Sequence, residues 1–272
     1  ALINKILTTL LGILCSVVMF AQSAEGARAA GLAGTSVTIN DEWSTFHNQA
    51  GLADLKSLTA GAYYQNRFMI KELGDRGITV ATPVGKGVFG LAYQSFGYSA
   101  FTQAKSGLAY AMKLGEKFSV GVQMNYHSLR IAEGYGVSRA FSVEGGFRYM
   151  LNKSLILAGH IENANRAKIA DYNDERAPST LRMGATYVFS EKVQLSGQVQ
   201  QTTQQKVVGS GAIEYFIIDA FVVRAGFASN PTLSAFGFGW RNENFKADIS
   251  ASYHSALGFS PQIALSYCPK GF

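Results

Sequence analysis

From about residue 56 onward, apolar and polar residues alternate one for one, the two-residue period of a strand with one dry and one wet face. In "KFSVGVQMNYH", Phe118, Val120, Val122, Met124 and Tyr126 share one face, and Lys117, Ser119, Gly121, Gln123, Asn125 and His127 share the other. "FKADISASYH" repeats the pattern, with Phe245, Ala247, Ile249, Ala251 and Tyr253 opposing Lys246, Asp248, Ser250, Ser252 and His254. The alternation predicts fourteen strands, at about 56–67, 76–84, 87–97, 101–114, 117–130, 139–151, 154–165, 179–189, 192–202, 206–217, 220–229, 232–241, 244–254 and 258–268. Every second connection is a residue pair: Gly85-Lys86, Gly115-Glu116, Asn152-Lys153, Ser190-Glu191, Ile218-Asp219 and Asn242-Glu243. The others are mostly longer, around 68–75, 131–138 and 166–178. An even strand count with short turns at one end and longer loops at the other predicts an all-β fold, a transmembrane antiparallel up-and-down barrel. Tyr110, Tyr126, Tyr149, Tyr187, Phe189, Tyr215, Phe221 and Tyr253 fall on the dry face near strand ends, which suits interfacial girdles.

Composition sharpens that picture. Hydrophobic residues make up 47% of the 272 and charged residues only 15%, against about 25% charged in ordinary soluble domains. No run after the first 21 residues approaches the ~20 apolar residues of a membrane helix. The wet face is mostly Gly, Ser, Gln and Ala, not the densely charged exterior of a soluble sandwich. Lys5, the apolar stretch 6–20 and Ala21-Gln22 read as a cleaved signal peptide over residues 1–21. The domain plan is then a signal peptide (1–21), an N-terminal segment (22–55) and a barrel (56–272). The expected location is a bacterial outer membrane, with bilayer and lipopolysaccharide as the surroundings. The aromatic Phe272 at the chain end fits delivery to barrel-insertion machinery. Without the leader, Cys268 is the one cysteine, expected to face inward and be inert, so no internal disulfide forms. Net charge is +6, or +5 without Lys5, with no basic run to suggest a nucleic-acid partner.

The search for chemistry is mostly negative. No nucleophile elbow, zincin motif or P-loop occurs, and "GSGAIE" at 209–214 lies inside a strand pattern. His47, His127, His160 and His254 have no metal-ligand spacing. The last three fall on the wet face, which argues against a Ser–His pair on the outer wall. The reading is a non-enzyme with no cofactor. Glu144, Arg148, His160, Glu162, Arg182, Arg224, Lys246 and Asp248 all point to the lumen. Mixed signs in a narrow barrel predict an internal ion-pair network that fills and stiffens it, with a solute path as the rival reading. The 166–179 loop carries Asp171, Asn173, Asp174 and Glu175 without EF-hand spacing, and reads as a solvated acidic loop or partner contact rather than a calcium site.

Residues 22–55 have no strand or helix period, yet they hold Trp43, one of two tryptophans. A Gly/Ala-rich backbone packs closely, so this segment is expected to lie in the lumen as a hatch, anchored by Trp43 and Phe46. Its sequence, "GARAAGLAGTSVTINDEWSTFHNQAGL", resembles the N-terminal signature of the PorV/PorQ branch of FadL-like outer-membrane proteins. Gly26, Arg28, Ala29, Gly31 and Gly34 match its first part, Asp41-Glu42 its acidic pair, and Asn48, Ala50, Gly51 and Leu52 its end. Gln49 replaces the family proline. The resemblance implies hatch and anchoring roles for Arg28, Asp41, Trp43, Phe46 and Asn48. It also implies an accessory subunit of a larger outer-membrane translocon or assembly barrel, foremost in type IX secretion. The alternatives are a FadL-like transporter of a hydrophobic solute, or a subunit of another assembly such as the β-barrel insertion machinery.

Overall fold

The computed structural model describes residues 25–132, 136–168 and 176–269. The expected signal peptide, the acidic residues Asp171, Asn173, Asp174 and Glu175, and Phe272 lie outside the described residues. Fourteen antiparallel strands close into one barrel, each paired to its neighbours in sequence and β1 to β14. They are β1 (Thr59–Asn66), β2 (Gly74–Val84), β3 (Gly87–Tyr98), β4 (Phe101–Lys113), β5 (Phe118–Ile131), β6 (Gly136–Met150) and β7 (Leu155–Glu162). The second half is β8 (Thr180–Ser190), β9 (Val193–Thr202), β10 (Val208–Ile218), β11 (Phe221–Ala228), β12 (Leu233–Arg241), β13 (Phe245–His254) and β14 (Gly258–Tyr267). No helix among the described residues is long and apolar enough to cross a membrane.

The strand period carries through to the wall. Val122 and Met124 are 56% and 63% exposed, whereas Gln123 and Asn125 between them are each 1% exposed. Outward aromatics pair across neighbouring strands, such as Tyr253 with Phe259 at 4.8 Å and Phe245 with Tyr267 at 5.2 Å. Two details depart from the alternation pattern. β7 stops at Glu162 instead of running to 165, because Asn163 turns to φ +52°. The Asn163 side chain then donates to the carbonyls of Ala177 and Pro178 and accepts from the Ala167 amide, which starts the loop. The longer-loop end is also not uniformly long, since Tyr98 and Phe101 are joined by two residues only. The end bearing the six short turns and both ends of the barrel wall is called the turn end below, and the opposite one the loop end.

Residues 25–55 run inside this wall. They form two short helices, α1 (Ala27–Gly31) and α2 (Ser44–His47), then a 3-10 turn over Gln49–Asp54. Too short to be stable alone, these pieces are fixed by the wall. Ala33 and Gly34 take φ of +52° and +77°, which bends the chain after α1 to follow the barrel's inner circumference. Trp43 packs against Phe46 and Tyr63, with ring centroids 6.4 and 5.8 Å away. Gly26 sits at φ +85° beneath the Trp43 ring, where any side chain would collide with it.

Inward glycines mark the track of the segment. The backbones of Gly31 and Leu32 meet Gly237 and Gly226, the Asn48 side-chain amide meets Gly146, and the Gln49–Ala50 peptide meets Gly121. At each, an added Cβ would overlap the segment or crowd it. These glycines leave room for the segment to lie close against the wall.

Candidate functional site

The lumen is built where inward strand positions meet the N-terminal segment, and its chemistry is carried by charges of both signs. Arg28, on α1, sits between Asp41 at 2.8 Å and Glu214 of β10 at 2.7 Å. Glu214 also binds Arg224 of β11 at 2.8 Å, and Arg224 reaches Asp248 of β13 at 2.5 Å. One chain of five charges thus joins the segment to three strands. The guanidinium fork suits this bridging, because Arg28 donates Nε and Nη2 to the two oxygens of Glu214 and Nη1 to Asp41.

A second group lies across β4 to β8. Lys105 contacts Glu144 at 2.5 Å and Glu162 at 3.2 Å. Glu162 binds Arg182 at 3.0 Å, and His160 Nε2 is 3.4 Å from Glu144. Gln49 Nε2 donates to Glu144 at 3.0 Å, tying the segment into the group. The position where the resembled family carries proline therefore holds a side-chain donor that proline lacks. Towards the turn end, Arg148 binds Asp54 at 2.7 Å, and Lys246 binds Glu42 at 3.2 Å.

The lumen residues read from the sequence, Glu144, Arg148, His160, Glu162, Arg182, Arg224, Lys246 and Asp248, are all brought inside, in separate groups rather than one network. Of the segment residues, Arg28 and Asp41 pair with each other, Trp43 and Phe46 share the aromatic cluster with Tyr63, and Asn48 is fully buried. Lys105 and Glu214 were missed, although their inward parity on β4 and β10 was the available signal. Glu42, Asp54 and Asp75 were also missed. They pair with Lys246, Arg148 and Arg67 across distances that no local pattern reports.

Polar wall side chains also hold the segment's backbone. Gln198 Oε1 accepts from the amides of Ser36 and Val37, and its Nε2 donates to the Gly34 carbonyl. Asn48 Nδ2 donates to the carbonyls of Val37 and Phe147, and its Oδ1 accepts from the Ala50 amide. Asn48→Ala leaves these partners bare in a buried site. A loss of about 2 kcal/mol or more is expected in urea unfolding of the reconstituted barrel, each buried orphan costing about 1–3 kcal/mol.

Titratable groups of the segment follow from burial. Burial, with help from the Arg182 charge, pushes His47 down to about 4, so its ring is neutral at pH 7. Its Nε2 lies 2.8 Å from the Glu25 carbonyl oxygen and is the protonated nitrogen. Burial, with the neighbouring Glu42 carboxylate, raises the Cys268 thiol to about 12, which leaves it unreactive as a nucleophile. No cluster of metal-ligating side chains occurs among the described residues.

One sector of the lumen differs from the rest. Inward positions of β2 to β4 carry Ala81, Val88, Ala92, Ala109 and Ala111, with Gly90 and Gly107 among them. Leu52 covers this lane, with Ala53 and Leu55 packed beside it. Asp75, Gln94 and Lys105 cap it toward the loop end, where Gln94 donates to Asp75. The small apolar side chains of the lane pack against Leu52, Ala53 and Leu55 of the segment, which fill it in this structure.

No family model and no curated protein matches this sequence. The fold is that of the FadL-like channels. The CymD monoaromatic hydrocarbon channel superposes with a TM-score of 0.69 at 11% identity, over 93% of this chain and 100% of that one. The toluene transporter TbuX of Ralstonia pickettii gives 0.70 at 11% identity, over 93% and 100%. A FadL homologue of Pseudomonas aeruginosa gives 0.67 at 10% identity, over 91% and 99%.

Proposed function

We propose that this protein is an outer-membrane channel for a small hydrophobic solute, closed at rest by its N-terminal segment. The observation that carries the reading is the apolar lane on β2 to β4 beneath Leu52, on a barrel with the fold of hydrocarbon channels. The turn end faces the periplasm, as short turns and both ends of the wall do in such barrels. The register shifts of the ladders are confined to the turn ends of β8 and β10, and the β6–β7 ladder ends at Gly145 and Ile161, so residues 136–144 of β6 have no β7 partner. The proposed route is through the lumen, by displacement of residues 49–55 from the lane. Arg28 holds the α1 part of the segment to the wall, and the bonds of Gln49 to Glu144 and of Asp54 to Arg148 and Lys113 are the ones that must open for residues 49–55 to leave.

The accessory-subunit reading and its type IX secretion link rest on the N-terminal resemblance alone, and the solved relatives are channels. Arg28, Asp41 and Asn48, which carry that resemblance, spend their bonds inside the barrel and present no partner surface.

Thr45 Oγ1 and Thr79 Oγ1 are 2.8 Å apart, joining α2 to β2 beside the lane. Thr45→Cys with Thr79→Cys is expected to lock α2 to β2 under oxidation. Cells lacking their own hydrocarbon channel should take up labelled toluene faster with the wild-type barrel than the empty host does, and the oxidised pair, which pins α2 but leaves residues 49–55 free, should keep that rate. Uptake by the wild type no faster than by the empty host would sink the channel reading.

A further inference from the structure

The lipid-facing wall is largely apolar, and its charge is gathered at one place. Among the described residues, the outward positions of the fourteen strands carry three charged side chains: Arg76 on β2, Arg130 on β5 and Arg139 on β6. All three are exposed, all stand at the loop end, and none forms an ion pair with another described residue. Their registers place them in order. Arg76 opposes Ser95, Ser95 opposes Ala104, Ala104 opposes Ser128, and Ser128 opposes Arg139. One lateral row therefore reads Arg–Ser–Ala–Ser–Arg across five strands. At ~4.8 Å per strand, the arginine backbones stand about 19 Å apart. Arg130, one step higher on β5 and opposite Val137, sits diagonally from Arg139.

The next row toward the membrane centre reads Ile78, Tyr93, Ser106, Tyr126, Phe141. Its aromatic side chains mark the level where hydrocarbon gives way to head groups. Ser106 is the exception in that row, and its small side chain leaves a dip. The result is an apolar depression of about 490 Å3 in the outer wall, lined by Leu91, Tyr93, Ser106, Leu108, Met124 and Phe141 among others. Cations above an apolar groove, at the head-group level, are complementary to an anionic lipid.

We propose that this wall is a binding site for lipopolysaccharide. An acyl chain fills the depression at Ser106, the phosphorylated sugar rests over Ala104 and Ser128, and phosphates bond to Arg76 at one end and Arg139 with Arg130 at the other. The length of the row favours this occupant. A phospholipid has one phosphate and engages one end, whereas a disaccharide head group carrying two phosphates spans both. Arginine forks bind phosphate directly and in two-point fashion, so this contact does not depend on bridging divalent cations. The inference uses the outer-membrane placement given above but not the solute, and its test does not read uptake.

The barrel is extracted from native outer membranes, washed with EDTA in mild detergent, and its retained glycolipid counted by native mass spectrometry. About one lipopolysaccharide per barrel is expected to survive the wash. Arg76→Gln with Arg130→Gln and Arg139→Gln should lower the retained fraction about tenfold or more, since three charge-assisted contacts are lost. Ser106→Phe, which fills the dip, should lower it as well, and Arg139→Gln alone gives a smaller loss where the triple variant folds poorly. Phe236→Ser on the opposite wall, β12, should retain the wild-type amount. Equal retention by the wild type and the arginine variants would overturn the proposal. So would complete release by EDTA, or equal retention of phosphatidylglycerol when both lipids are offered.

Discussion

Glu214→Ala is expected to destabilise the reconstituted barrel by about 3–5 kcal/mol, the range for removing one partner of a buried ion group. The size follows from position. Glu214 is 4% exposed and is shared by Arg28 at 2.7 Å and Arg224 at 2.8 Å. Its loss leaves two guanidinium groups facing each other, with only Asp41 and Asp248 to balance them. A surface pair would give about 0–1 kcal/mol, so the measurement separates a tethered interior from a solvated one. Urea unfolding in lipid vesicles reads the difference. In a Trp240→Phe background, Trp43 is the only tryptophan and reports the segment directly. Its emission should shift to longer wavelength at lower urea in Glu214→Ala than in the parent. A shift in stability under about 1 kcal/mol would mean that the lumen is wet enough to screen these charges. A second comparison isolates the pair. Arg28→Met combined with Asp41→Asn and Glu214→Leu leaves only the Arg224–Asp248 pair of this group, and should cost less than Glu214→Ala alone, because no uncompensated charge remains.

The wall was legible because a barrel strand obeys one local rule. Parity alone puts Val122 outside and Gln123 inside, and it correctly turned Glu144, Arg182 and Asp248 toward the lumen. Parity says nothing of partners. Arg28 and Glu214 are 186 residues apart, and only closure of the barrel brings them together. Residues 25–55 lack any period because they touch a different strand every few residues, so each position answers to a different neighbour. The glycines opposite them, Gly121, Gly146 and Gly226, carried the matching signal and were legible only as composition. The arginine row shows the reverse failure. Arg76, Arg130 and Arg139 interrupt the dry face at positions where parity demands an apolar residue. Each interruption was visible in the sequence, but the alignment of Arg76 with Arg139 in one row, and of Arg130 one step above it, depends on the ladder registers of four strand pairs.

Gly121→Val is expected to open the barrel. The Gly121 Cα faces the Gln49–Ala50 peptide so closely that a Cβ would overlap backbone atoms, not a side-chain tip that could swing away. Overpacking of this kind costs about 1–3 kcal/mol when neighbours can shift. β5 cannot shift readily, since it is bonded along its length to β4 and β6. The segment is the softer partner, so it moves. The outcome is a rise in ion conductance across a planar bilayer, with a shift of Trp43 emission toward that of a wetter site. Gly145→Val is the matched control. Gly145 opposes Val122 on the outward face, and a Cβ there meets nothing closer than 3.7 Å, so conductance should stay at the closed level. Conductance and Trp43 emission unchanged in Gly121→Val would show that the segment is not what closes the lumen. Combining Gly121→Val with the oxidised Thr45→Cys/Thr79→Cys pair sharpens the result. The cross-link holds α2 to β2 four residues before the clash, so opening confined to residues 49–55 survives it. Release of the whole segment does not. The conductance of that combined variant therefore separates a local flap over the apolar lane from wholesale departure of the segment.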